Sequence, residues 1–161
     1  MKIGIISDSH DNIENTRKAI KQIEDLGCKT LIHCGDFCAP FMMKNLSEFK
    51  GEVHVCFGNV DDRFLTTKMA AENKIELHGE IGEIEIDSKK IAFTHRPKFA
   101  RGLASTGDYD AVFYGHTHIK SIDKINGCPF CNPGELAEFK GKASFAAYDT
   151  VSGEITHHDL K

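Results

Sequence analysis

Short apolar runs recur along the chain at Lys2–Ser7, Thr30–Cys34, Val53–Phe57, Lys90–Thr94 and Ala111–Tyr114, bounded by Gly, Asp or Asn. Runs of this length, bounded by turn residues, predict buried strands. Between the first three, apolar positions fall at helical spacing: Ile13, Ile20 and Ile23 across Asn12–Leu26, then Phe41, Met42, Leu46 and Phe49 across Pro40–Lys50. That pattern predicts amphipathic helices and a β-α-β-α-β opening. After Ala111 the texture changes. Ile119–Ile125, Ala143–Tyr148 and Glu154–His158 alternate or follow closely on turns such as Asn126-Gly127 and Ser152-Gly153, which predicts a hairpin-rich C-terminal sheet.

The 161 residues, 40% of them hydrophobic, fit one domain over 1–161 with a single continuous core. No repeat, low-complexity tract or Pro/Gly/Ser linker divides them. A net charge of −4 lacks the basic excess of a dedicated nucleic-acid binder. Asp8 interrupts the first apolar run too early for a signal peptide, and no later stretch approaches the ~20 apolar residues of a membrane span. The expectation is a soluble, unexported, cytoplasmic protein with no membrane partner. Its six cysteines then read as reduced thiols rather than disulfides.

Each apolar run ends in a polar cluster. In open sheets with crossover helices, ligands gather at the carboxyl ends of the strands. The first run delivers Asp8 and His10, whose i, i+2 spacing lets both side chains point one way if the strand continues. The bland alternative makes Asp8 a cap for the helix that starts near Asn12. The second run ends in Gly35-Asp36 and the third in Gly58-Asn59-Val60-Asp61; the glycines permit close backbone approach and the next side chain supplies an oxygen. Tight-turn chemistry explains either motif alone, but not repetition at three successive strand ends. Further on, Thr94-His95 and Gly115-His116-Thr117-His118 add imidazoles. His33, His54 and His78 read instead as satisfied core residues, and His157 and His158 as solvated tail residues. Asp8, His10, Asp36, Asn59, His95, His116 and His118 together exceed what one tetrahedral ion uses. Two divalent ions sharing a carboxylate, roughly 3.5–4 Å apart, would use them all.

The order Asp-x-His, Gly-Asp, Gly-Asn-x-Asp, Thr-His and Gly-His-Thr-His resembles the calcineurin-like metallophosphoesterases, in particular their small prokaryotic phosphodiesterase branch. The likeness runs from Met1 to Asn132-Pro133-Gly134-Glu135. It implies an α/β fold, a two-sheet β-sandwich core flanked by helices in four layers, α/β/β/α. It also implies that Asp8, His10 and His118 bind one metal, that Asn59, His95 and His116 bind the other, and that Asp36 bridges them. The implied activity is hydrolysis of a small phosphodiester or phosphate ester through a hydroxide between the metals. Mixed His/Asp/Asn ligation admits Mn, Ni, Zn, Fe or Co, with Mn first among them.

Two departures refine this expectation. Many relatives carry histidine after the Asn of the third motif, in the role of leaving-group acid; here Val60 stands there, so substrates with poor leaving groups should be slow unless bound water substitutes. The small phosphodiesterase branch commonly lacks that histidine too, a likeness that favours diesters over protein phosphomonoesters. Where relatives show His-Gly-His, this chain has His95-Arg96-Pro97, and Arg96 offers either a fork to a phosphate oxygen or a solvated side chain. Cys128-Pro129-Phe130-Cys131 would need Cys34 and Cys38 to complete a structural zinc site. The rival functions are a non-catalytic scaffold of the same fold, like the retromer subunit, and a nuclease. A homo-oligomer is compatible with the sequence.

Overall fold

The computed structural model describes residues 1–161. The opening holds strands β1 (Lys2–Ile6), β2 (Thr30–His33) and β3 (Glu52–Val55) with helices α1 (Ile13–Asp25) and α2 (Met42–Leu46) between them. Helix α3 (Arg63–Glu72) and strands β4 (Glu76–Leu77), β5 (Ile81–Ile86) and β6 (Lys89–Thr94) come next. Helix α4 (Pro97–Thr106) precedes β7 (Ala111–Tyr114), β8 (Ser121–Ile125), β9 (Cys128–Asn132), β10 (Ser144–Asp149) and β11 (Ile155–Asp159).

The strands form two sheets, ordered β11-β10-β1-β2-β3-β4 and β5-β6-β7-β9-β8. Strands β1 to β4 are parallel, as are β6, β7 and β9. Strand alternation divides the core by layer. Ile3 and Ile5 meet Phe93, Phe113 and Tyr148 between the sheets, whereas Ile6 faces a cluster built with Ala19, Ile20 and Ile23 of α1 and Met42, Met43 and Leu46 of α2. On the far side Ala100 and Ala104 of α4 pack on Val112 and Phe130. Three apolar interfaces therefore separate four layers, helices, sheet, sheet and helix, as the resemblance implies. No helix is long and apolar enough to cross a membrane.

Two expectations change. The C-terminal strands do not make one sheet: β8 and β9 form a hairpin in the second sheet, while β10 returns to pair antiparallel with β1. Hydrophobic alternation sets each hairpin but not which sheet edge receives it. His157 and His158 are only partly solvated. Both lie half-buried in β11, where His157 Nε2 meets the Asn132 carbonyl at 2.8 Å and His158 stacks on Phe145. The two cysteines of Cys128-x-x-Cys131 are core residues: they lie three apart on a strand and face opposite ways, Cys128 toward α4 and Cys131 between the sheets. All six thiols are free. The pair therefore cannot grip one ion.

Candidate metal centre

All seven sequence-predicted residues lie just past the carboxyl ends of parallel strands: Asp8 and His10 after β1, Asp36 after β2, Asn59 after β3, His95 after β6, and His116 and His118 after β7. The two sheets aim these ends at one place. Asp8, His10 and His118 present ligand atoms within 4.8 Å of one another, as do Asp36, His95 and His116. Asp36 lies between the groups, its Oδ2 3.7 Å from His10 Nε2 and 3.2 Å from His95 Nε2. Asn59 Oδ1 is 3.1 Å from the same nitrogen of His95.

The i, i+2 spacing works for a different reason from strand alternation, because β1 ends at Ile6 and β7 at Tyr114. Asp8, His10, Asp36, His116 and His118 all adopt positive φ, between 41° and 72°. Left-handed backbone at a non-glycine residue costs about 1–3 kcal/mol and persists only where the surroundings impose it. Here Asp8 N–H donates to the Gly35 carbonyl and His10 N–H to the Asp36 carbonyl, each at 3.0 Å, which cross-ties the two loops. Asp8 does not cap α1; Asn12 does, accepting from Asn15 N–H at 3.0 Å.

The glycines serve loop-to-loop approach. A Cβ on Gly58 would meet Asp36 Oδ1 at 2.0 Å, and one on Gly115 would meet Ser7 Oγ at 2.0 Å and Asp8 Oδ2 at 2.8 Å. Alanine at either position drives a carboxylate out of place.

The ligand atoms fit a cation. His95 Nδ1 lies 2.9 Å from the Cys34 carbonyl, so in the neutral ring Nδ1–H donates and Nε2 carries the lone pair. That lone pair faces Asp36 Oδ2, Asn59 Oδ1 and His116 Nδ1, all within 3.2 Å. Acceptors crowded around one point repel unless a positive centre sits among them. Protonation is the metal-free answer: burial lowers the His95 pKa, but the bond to Asp36 and the charges of Asp8 and Asp36 outweigh it and raise it. In the other group, His10 Nε2 is buried without a hydrogen-bond partner, which costs about 1–3 kcal/mol. Burial likewise pushes the Asp36 carboxyl up, yet His95, the Val60 N–H and His10 together hold it at about 2. Asp8, buried beside Ser7 Oγ, is raised, with burial the main cause. These features suit divalent metal.

Residues 1–153 match the family model described as the calcineurin-like phosphoesterase superfamily domain. The chain belongs to that superfamily. This calcineurin-like phosphoesterase is 34% identical over 159 residues to a phosphodiesterase of Methanocaldococcus jannaschii, covering 96% of each chain. A solved archaeal phosphodiesterase superposes with a TM-score of 0.92 at 32% identity, over 99% of this chain and 100% of that one. Vacuolar protein sorting 29 of Cryptosporidium parvum shares the fold at TM-score 0.68 and 18% identity, over 98% of this chain and 95% of that one.

Two side chains of this calcineurin-like phosphoesterase hold the site yet escaped the sequence-derived set. Asp61 accepts from the backbone N–H groups of Gly58, Cys38 and Asp36 at 2.6, 2.7 and 3.0 Å, lacing the second and third loops together. Burial outweighs those three bonds and raises its pKa to about 6. Glu135, in the loop after β9, meets His118 Nδ1 at 2.6 Å and accepts from Phe139, Lys140 and Gly141 N–H. Both stand inside quoted motifs, Gly-Asn-x-Asp and Asn-Pro-Gly-Glu, so their positions were available as signals. Arg96 sits at the start of α4 with a half-exposed side chain, its Nε 3.9 Å from Glu80 Oε2. The Val60 side chain is exposed, while its N–H donates to Asp36 Oδ1 at 3.1 Å.

Proposed function

We propose that this protein is a cytoplasmic phosphodiesterase whose site takes two divalent ions, Mn²⁺ foremost, at Asp8/His10/His118 and at Asn59/His95/His116, with Asp36 shared. Bound there, the ions supply Lewis acidity and an acidified water for in-line attack on phosphorus. The observation that carries the reading is the pair of ligand-atom groups meeting at Asp36, with the unpartnered His10 Nε2 on one side and the crowded His95 Nε2 on the other. The chain's own residues do the rest. Glu135 fixes the His118 tautomer by holding Nδ1, leaving Nε2 for the site. The Cys34 carbonyl does the same for His95. Asp61 keeps the Asp36 and Gly58 loops in register. Arg96, next to His95 in the chain and half-exposed, is the residue this reading assigns to a phosphate oxygen.

Diesters are favoured as substrates by the relative named above, and since Val60 offers no proton to a leaving group, diesters with good leaving groups turn over fastest. Metal-stripped protein reloaded with Mn²⁺ tests this against bis(p-nitrophenyl) phosphate, p-nitrophenyl phosphate, a cyclic nucleotide and single-stranded DNA. Mn²⁺-dependent turnover highest on a small diester is the expected result. No turnover of any of them, with metal bound, would make the fold a scaffold here, and preferential cutting of the DNA would make it a nuclease.

A further inference from the structure

A third group of metal-ligand side chains lies on β3, on β4 and just past β4, at the edge of the first sheet. His54 and Glu76 are register partners on β3 and β4, and His78 follows Glu76 by two residues. In a parallel pair this puts all three on one face. It is the face turned to the other sheet, since Val53 and Val55 point to the helices and His78 packs edge-on against Phe93 of β6. Strand β4 ends its sheet, so the group opens to solvent at the sandwich edge through the exposed Glu76.

The distances are those of a coordination face. His54 Nδ1 is 3.0 Å from His78 Nε2 and 3.3 Å from Glu76 Oε2, and His78 Nε2 is 3.6 Å from Glu76 Oε1. Tetrahedral ligands with bonds of about 2.0–2.1 Å stand about 3.3–3.4 Å apart. Without an ion, one of these two ring nitrogens donates its N–H to the other; displacing that single proton leaves two ring nitrogens and the Glu76 carboxylate converging on one point. Burial lowers both imidazole pKa values against the opposing charge of Glu76, which favours the neutral rings that ligate metal. Glu52 Oε2, 4.0 Å from His54 Nε2 on the solvent side, completes the acidic rim.

We propose that His54, Glu76 and His78 form a third, structural site for a borderline divalent ion of the zinc class, independent of the phosphoesterase centre. Two imidazoles and one carboxylate suit Zn²⁺, Co²⁺ or Ni²⁺ rather than Mg²⁺ or Ca²⁺. Its role follows from topology. Strand β4 is two residues long and pairs with β3 at only His54↔Glu76 and Val55↔Leu77. An ion held from both strands clasps this short edge and steadies the Gly79-Glu80 segment that follows it, to which Arg63 and Arg96 are paired.

The test is Zn²⁺ binding by the full chain after chelator treatment, read as equivalents retained on desalting and as Zn²⁺-induced rise in Tm. A His95→Ala/His118→Ala protein, impaired at the other centre, should still retain one equivalent. Adding Glu76→Gln, an exposed and near-isosteric change that leaves packing intact, should weaken that equivalent at least tenfold and abolish the Tm rise; His78→Ala should do the same. Co²⁺ in place of Zn²⁺ should give tetrahedral visible absorption that Glu76→Gln removes. Retention of no Zn²⁺ by the His95→Ala/His118→Ala protein would overturn the site, as would equal retention with and without Glu76→Gln. Phosphodiesterase activity does not enter these readouts, so failure of this site and failure of the catalytic reading are distinguishable.

Discussion

The two halves of the candidate metal centre are built to different tolerances. In the Asp8/His10/His118 half, Asp8 is fully buried and accepts from Ser7 Oγ and His116 N–H, while His118 is held by Glu135. Phe139 lies over the rings of His10 and His118, with centroids at 4.9 and 5.9 Å. In the Asp36/His95/His116 half, only Asp36 and His95 are buried and braced. His116 is exposed and its ring meets another member of its own group, His95, while Asn59 is exposed as well. Ligands locked by outer partners bind metal tightly, and mobile ones bind it more weakly but adapt. One half therefore reads as an anchor and the other as the side that meets substrate.

The most damaging way to break this contrast is at the residue both halves share. Asp36→Ala should lower kcat for a small diester on the order of a thousandfold, because it removes the shared oxygen and exposes His10 and His95 to each other. Steady-state kinetics at saturating Mn²⁺ measure it; a loss under tenfold would show that the halves work without a common ligand. Next in size, Glu135→Gln should weaken the tighter Mn²⁺ equivalent by about 10–100-fold, since the amide no longer holds His118 Nδ1 by charge. The looser equivalent should be unchanged in the same calorimetric titration. In the unaltered protein, chelation should then proceed in two phases, with the ion of the His95/His116 half leaving about tenfold faster.

That asymmetry was not legible in the sequence, although its members were. Asp8, His10, Asp36, Asn59, His95, His116 and His118 announce themselves because each follows a short apolar run, and the pattern of apolar and polar residues is what strand ends leave in a sequence. What aims them is the left-handed backbone at five of these positions, which depends on loops from different strands bonding to one another. The bracing by Glu135 spans 17 residues and that by Asp61 spans 25, neither of which local spacing reveals. In the fold, α1 was visible through Ile13, Ile20 and Ile23, whereas α3 buries only Thr66 and Ala70 and leaves Phe64 and Leu65 exposed, so no apolar stripe marks it. Strand β9 carries Pro129, a residue that argues against a strand, yet pairs on both sides.

A smaller effect separates metal-free from metal-loaded protein. A His95 pKa raised above its ordinary 6.5 contributes stability that is complete below 6.5 and is lost as pH rises through the raised value. Asp61, raised from 3.8 to about 6, loses stability in the same direction over that lower window. Asp36, held at about 2, has completed its stabilising contribution above 3.8 and adds no slope near neutrality. Metal binding displaces the His95 proton, so affinity rises with pH instead. Between about pH 6 and about pH 8, Tm should fall in chelator and the Mn²⁺-induced rise in Tm should grow. Parallel slopes in the two conditions would remove His95 from the metal-binding set.

The smallest expected effect concerns Arg96, which sharpens the view that the open half meets substrate. It follows His95 directly, begins α4, and competes for its charge with Glu80 at 3.9 Å. A half-exposed guanidinium already shared with a carboxylate gains little from a further contact, because solvent and Glu80 both screen it. Arg96→Ala should therefore raise KM for a small diester about three- to tenfold and leave kcat near the original value, the pattern of binding lost equally from ground and transition states. Arg96→Lys should recover only part of the loss, since an ammonium cannot offer a two-pronged fork. An unchanged KM in Arg96→Ala would place the side chain in solvent, and a fall confined to kcat would instead make Arg96 a partner of the reacting phosphorus.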